Sequence, residues 1–233
     1  MRLEEAAAIA LSLRYRYQAD KSQGFAHQYD WYNGGGCADP ACRFHARSKQ
    51  MPPDAPWRYW LIQTGRGWGK TRAGAEWVRA EVESGCRARI ALVADTAADA
   101  RDVMVEGSRS GLIAVSPPWF RPEYEPTKRR LTWPNGAVAT TYSAEDPEQL
   151  RGPEHDLAWL DELAKWRYAA DAFARLDESL RLRGQDGSPA RAIITTTPRP
   201  ISAIRRLLGR VGDDVTLTRG HTRDNLENLD EGF

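Results

Sequence analysis

At 233 residues, 41% hydrophobic and 28% charged, the chain has the length and composition of one soluble α/β domain, and no stretch reaches the roughly 20 apolar residues of a membrane span. Thirty-three Lys and Arg against 32 Asp and Glu leave a net charge of +1, which excludes the global positive field of a strongly basic nucleic-acid-binding domain; any DNA contact has to be local or shared among subunits. Three cysteines, Cys37, Cys42 and Cys86, are too few for a disulfide framework and point to a reducing, intracellular setting.

The opening MRLEEAAAIALSLRYRYQAD starts with acids and is cut by Arg14 and Arg16, which reads as an amphipathic helix rather than a secretory signal. Residues 21–56, with GGG at 34–36 and MPPDAP at 51–56, read as an irregular lead-in. From Trp57 the pattern changes. WRYWLI has strand length and aromatic, apolar character, GRGWGK follows as a glycine-rich loop, and TRAGAEWVRAEVES has helical periodicity. RIALVA (89–94) is a buried strand, and TAADARDVMVEG a helix with Thr96 and Asp99 at capping-box spacing. RRLTWPNGAVATTYS predicts two strands around an Asn135-Gly136 turn, with Pro134 putting the end of the first at a sheet edge. LAWLDE (157–162) is a short apolar strand ending in two acids. A helix over 169–183, a β-branched strand RAIITTTP (191–198), a helix ISAIRRLLG (201–209) and a last strand VTLTRG complete the chain. Alternating strands and helices predict a mostly parallel, doubly wound sheet with flanking helices, whose ligands lie beyond the carboxyl ends of the strands. The expected division is a lead-in over 1–56 and a nucleotide-binding core over 57–233.

Two motifs fall at such strand ends. In GRGWGKT (65–71), Gly65, Gly67 and Gly69 let backbone N–H groups converge on phosphate oxygens, Lys70 supplies a charge for the β and γ phosphates, and Thr71 offers a Mg²⁺ ligand. Thr64 stands where the G-x-x-x-x-G-K-[ST] pattern has its first glycine, so the loop is a variant with that glycine displaced to Gly65. About 90 residues on, Asp161 can orient Mg²⁺ and Glu162 can polarise an attacking water. Two adjacent acids suit hydrolysis and tilt the reading from a kinase or GTPase towards an ATPase; the competing explanation is that they cap a helix beginning near Lys165.

GRGWGKTRAGAEWVRAE, SAEDPEQLRGPEHDLAWLDELAKW and IITTTPRP together resemble the large terminase subunit of tailed bacteriophages and related gene transfer agents, over about Gln50 to Phe233. The resemblance implies a P-loop, RecA/ASCE-like fold and an ATP- and Mg²⁺-dependent motor of double-stranded DNA packaging. It implies a homo-oligomeric ring when assembled, with the isolated domain a monomer of weak activity, working with portal, procapsid and small terminase subunit in the host cytoplasm. The family's C-terminal nuclease is expected to be absent from this chain, and with it nuclease activity. Residue by residue, Lys70 and Thr71 match the phosphate loop, Asp161 the magnesium-orienting acid and Glu162 the catalytic base. Arg66 matches a loop arginine near the γ-phosphate, Arg151 an arginine reaching into a neighbouring subunit's site, Thr195, Thr196 and Thr197 the coupling motif, and Gln50 an adenine-reading amide. Plainer explanations stand beside these: a surface ion pair to Glu154 for Arg151, strand propensity for the threonines, an exposed loop position for Gln50, and core packing for Trp57, which could also stack on the base. Outside that pattern, Cys37, Cys42 and His45, with His27 upstream, have ligand chemistry suited to Zn²⁺, or are thiols in an insertion. A helicase-like or other DNA-remodelling ATPase, and a non-hydrolysing nucleotide switch, are the rival functions.

Overall fold

The computed structural model describes residues 29–32, 45–54 and 56–229; the helix expected over 1–20 lies outside them. Eight strands form one sheet: β1 (Tyr59–Thr64), β2 (Arg89–Ala94), β3 (Glu123–Glu125), β4 (Arg130–Thr132), β5 (Val138–Ser143), β6 (Leu157–Asp161), β7 (Arg191–Thr196) and β8 (Val215–Gly220). Their order across the sheet is β3-β4-β5-β2-β6-β7-β1-β8. From β5 to β8 every neighbour is parallel, and only the β3-β4-β5 end is antiparallel.

Among the described residues five α-helical elements connect the strands: α1 (Lys70–Glu83), α2 (the single turn Ala97–Asp99), α3 (Leu112–Val115), α4 (Ala169–Ser179) and α5 (Ser202–Leu208). They cover both faces, as a parallel sheet requires. Successive β1 residues alternate between two cores: Trp60 and Ile62 pack with α1, α3 and Met104, while Tyr59 and Leu61 pack with α4 and α5. Trp57 belongs to the first core, with ring centroids 5.6 Å from Trp77 and 6.1 Å from Trp60, so it is a packing residue.

Four local expectations are corrected. β1 runs over 59–64, leaving Trp57 ahead of it. The Thr96 cap forms, its hydroxyl accepting the Asp99 N–H at 3.0 Å, but the helix keeps α geometry for one turn and then widens into a π-helix over Ala100–Val105. Ala100, Met104 and Val105 on this wider turn all enter the core. β4 is not an edge strand: β3 lies outside it, and Pro134 sits beyond its end in the turn, where its missing N–H costs no ladder bond. α4 ends at Ser179 instead of 183 because the Ser179 hydroxyl bonds the Leu176 carbonyl and the chain turns to bridge His155 through Leu180. No helix among the described residues is long and apolar enough to cross a membrane.

Candidate functional site

β1 delivers the chain to the loop Gly65–Gly69, and α1 starts at Lys70. Gly67 (φ 71°) and Gly69 (φ 94°) are in the left-handed region, where a Cβ would strain the backbone, so these two glycines make the tight loop possible. Lys70 is buried and turns back over the loop: its ammonium lies 3.1 Å from the Gly65 carbonyl and 3.3 Å from Glu162 Oε1.

The facing groups come from β6 and β7. Asp161 ends β6, and Glu162 follows with φ 53°, in the left-handed region. Glu162 Oε2 accepts hydrogen bonds from the Thr197 N–H and hydroxyl, each at 3.1 Å. Asp161 is buried and accepts a 2.7 Å bond from the Thr195 hydroxyl. Burial pushes its carboxyl up to about 6, the Thr195 bond pulling the other way. The Thr195 hydroxyl also accepts from Trp159 Nε1 at 3.1 Å, and that of Thr196 accepts the Ala164 N–H at 3.0 Å. All three threonines thus have side-chain partners at the strand end, beyond what strand propensity asks. The acids do not cap an α-helix, since only a 3-10 turn (Leu163–Lys165) follows Glu162.

A cavity of about 430 Å³ opens here, lined by the loop and the start of α1 from Arg66 to Arg72, by Glu162, Lys165 and Thr197 facing them, and at its rim by Ser110 and Asn225. Cations, a hydroxyl and the glycine-rich backbone are faced by the Glu162 carboxylate, with the Asp161 carboxyl buried next to it outside the lining, a set that fits a polyphosphate with a divalent cation.

Gln50 is buried rather than exposed: its amide oxygen accepts the Arg47 N–H at 3.1 Å and its amide nitrogen lies 3.4 Å from the Gly69 carbonyl. Arg151 is on the surface, 3.4 Å from Glu148 and not among the cavity's lining residues; Glu154 pairs instead with Arg181 at 2.6 Å. His27, Cys37 and Cys42 lie outside the described residues, and His45 Nδ1 is 2.9 Å from the Asp30 carbonyl. Among the described residues no group of three or more His, Cys, Asp and Glu could hold a metal ion.

The sequence reading missed the residues that hold the loop's carbonyls. Arg47, Thr222 and Asn225 bond its outward carbonyls: Thr222 Oγ1 to Arg66 (2.8 Å), Asn225 Nδ2 to Gly67 (2.5 Å) and Arg47 to Trp68. Trp68 lies between them, with the Arg47 guanidinium 5.2 Å from its ring.

The loop on β1, the acids on β6 and the intervening β7 lie within residues 61–213, the span matched by the family model "Terminase large subunit, T4likevirus-type, N-terminal". The chain belongs to this terminase large-subunit family. None of the curated protein sequences matches it. Solved terminases share its fold. The large terminase ATPase domain of Thermus phage P74-26 is 17% identical with a TM-score of 0.50, over 72% of this chain and 76% of that one. The large terminase of a second thermophilic bacteriophage, in complex with ADP, is 17% identical with a TM-score of 0.54, over 79% of this chain and 47% of that one. Another structure of that same terminase gives 16% identity and a TM-score of 0.56, over 80% of this chain and 47% of that one. The chain thus spans about half the length of the ADP-bound terminase it matches. The terminase chain is a P-loop, RecA/ASCE-like α/β protein, with β7 inserted between the strand carrying the loop and the strand carrying the acids.

Proposed function

We propose that this chain is the ATP-hydrolysing motor domain of a DNA-packaging terminase. The observation that carries the reading is the meeting of Lys70 and Glu162 at 3.3 Å beside the glycine loop, from strands that are not neighbours in the sheet. The N–H groups of the loop and Lys70 would hold the β and γ phosphates of ATP. Mg²⁺, held by Thr71 and Asp161, would neutralise charge on the phosphate oxygens. With Lys70 drawn to phosphate, Glu162 loses its cation and keeps Oε1 available to accept a proton from the attacking water, while Thr197 holds Oε2. Loss of the γ-phosphate returns Lys70 to Glu162, and Thr197 carries that change into β7, a route to movement of double-stranded DNA. Arg66 lines the cavity where transition-state charge develops, and the exposed Arg151 is the group a neighbouring subunit in a ring would receive. The proposed setting is the host cytoplasm, at the portal of a procapsid, with the small terminase subunit. In the ADP-bound terminase the nucleotide is an adenine nucleotide, which supports the same ligand class for this site.

Hydrolysis assays test the reading. Lys70→Ala should abolish turnover through lost binding, whereas Glu162→Gln should keep Mg-nucleotide uptake and lose turnover. Combining Glu162→Ala with Arg151→Ala protein should restore some activity if Arg151 acts in a neighbour's site, and no rescue rejects that role. Stimulation by double-stranded DNA favours the motor over a nucleotide switch. Calorimetry that detects no Mg-ATP or Mg-ADP uptake by the unaltered chain would overturn the assignment.

A further inference from the structure

A loop that binds an anion through its N–H groups has to send its carbonyls the other way, because the C=O of one residue and the N–H of the next point in opposite directions across a planar peptide. Those carbonyls need donors of their own. Here four in succession have them: Arg66 from the Thr222 hydroxyl (2.8 Å), Gly67 from Asn225 Nδ2 (2.5 Å), Trp68 from the Arg47 guanidinium, and Gly69 from the Gln50 amide (3.4 Å). Across each planar peptide the N–H groups of Gly67, Trp68, Gly69 and Lys70 point away from the carbonyls so held. The donors are themselves tied together. Arg47 also bonds the Asp224 carbonyl at 2.6 Å and the Asn225 side-chain oxygen, and the Asp224 carboxylate takes Lys49 at 3.1 Å.

We propose that Arg47, Thr222 and Asn225 are positioning residues for nucleotide binding: a clasp made from the segment before β1 and the turn after β8 presets the phosphate loop by holding its carbonyls outward. The inference rests on the reading that this loop binds nucleotide. It also has a reciprocal side, since a clasp that favours the binding form of the loop is in turn stabilised when ligand binds. Nucleotide at the loop should therefore quieten the turn at 221–228, where Thr222 lies outside the cavity lining and Asn225 reaches its rim.

Calorimetry with Mg-ADP on the full chain tests this with Thr222→Val, which removes the donor and keeps the shape, Thr222→Ser, which keeps the donor, and Asn225→Leu. Ser84→Ala, at the opposite end of α1, removes a comparable bond to a carbonyl and serves as the control for general loosening. Thr222→Val and Asn225→Leu should each weaken Mg-ADP by about tenfold, in line with one net hydrogen bond, with Thr222→Ser and Ser84→Ala near the unaltered chain. In turnover the same two variants should raise KM for ATP while leaving kcat nearly unchanged. Independently of any variant, Mg-ADP should slow amide exchange across 221–228 in the native chain. If the unaltered chain binds Mg-ADP while Thr222→Val and Asn225→Leu bind it equally well, or Thr222→Ser is as weak as Thr222→Val, or exchange at 221–228 is unmoved, the clasp is rejected and nucleotide binding survives. If the unaltered chain takes up no Mg-ADP, the functional assignment and the clasp fail together.

Discussion

Asp161→Asn should separate what the site needs from what the fold prefers. Burial raises this carboxyl from the ordinary 3.8 to about 6, so the unfolded chain gives up the proton first, and between those values the folded protein binds more protons than the unfolded one. The sign follows: stability falls as pH rises through that window, and the cost is complete above it. With each tenfold change in the proton equilibrium worth RT ln 10, the full cost is roughly 3 kcal/mol at pH 7.5 and about half of that at pH 5. Asparagine does not ionise and can still accept the Thr195 hydroxyl. Any fixed cost of burying its NH₂ group shifts both pH values equally, so the test lies in the difference: the variant should gain on the order of 1 kcal/mol on the unaltered protein between pH 5 and pH 7.5. Urea unfolding at the two pH values measures it, and Mg-dependent turnover should be lost in the same variant. A stability gap that does not change with pH refutes the account of Asp161 as a carboxylate held ionised at a cost.

Two further outcomes follow from the packing. A Cβ on Gly74 would meet the Trp159 ring at 2.4 Å, so Gly74→Ala should push α1 off β6 and cost about 1 to 3 kcal/mol in urea unfolding despite alanine's better helix propensity; equal or higher stability contradicts this. His155 is buried between the Tyr142 hydroxyl (3.1 Å) and Ser179 Oγ (2.9 Å), and burial lowers its pKa to about 4. A depressed histidine contributes stability above its unfolded value of about 6.5 that is lost as pH falls towards 4. His155→Gln should remove about 2 kcal/mol of the decline between pH 7.5 and pH 5, and an unchanged acid limb of the stability curve rules that out.

How much of this was legible in the chain depends on distance along it. Loop, Lys70 and the α1 pattern are contiguous, and so are the apolar run and the acids of LAWLDE, so local chemistry announces both halves of the site. That β7 comes between them was not readable, because periodicity tells which residues face a core and not which strand lies alongside. The clasp is further from reach still: Arg47 and Asn225 are 178 positions apart, carry no motif, and become partners only when the sheet sets β8 beside β1. The π-helix escaped for a different reason, since an apolar face carried by Ala100, Met104 and Val105 is indistinguishable in sequence from an ordinary helical stripe.

Glu162 is one of two non-glycine residues with positive φ among those described, the other being Arg129. For a residue with a full side chain that backbone costs on the order of 1 kcal/mol, which glycine would avoid and asparagine would lessen. The glutamate therefore stands against the conformational preference of its own position. In a descendant that had stopped using the site, drift guided by stability alone would erase this carboxylate readily, whereas Lys70, at a helical position, offers no such relief; a chain retaining the lysine but with glycine after Asp161 would bear the mark of a retired engine.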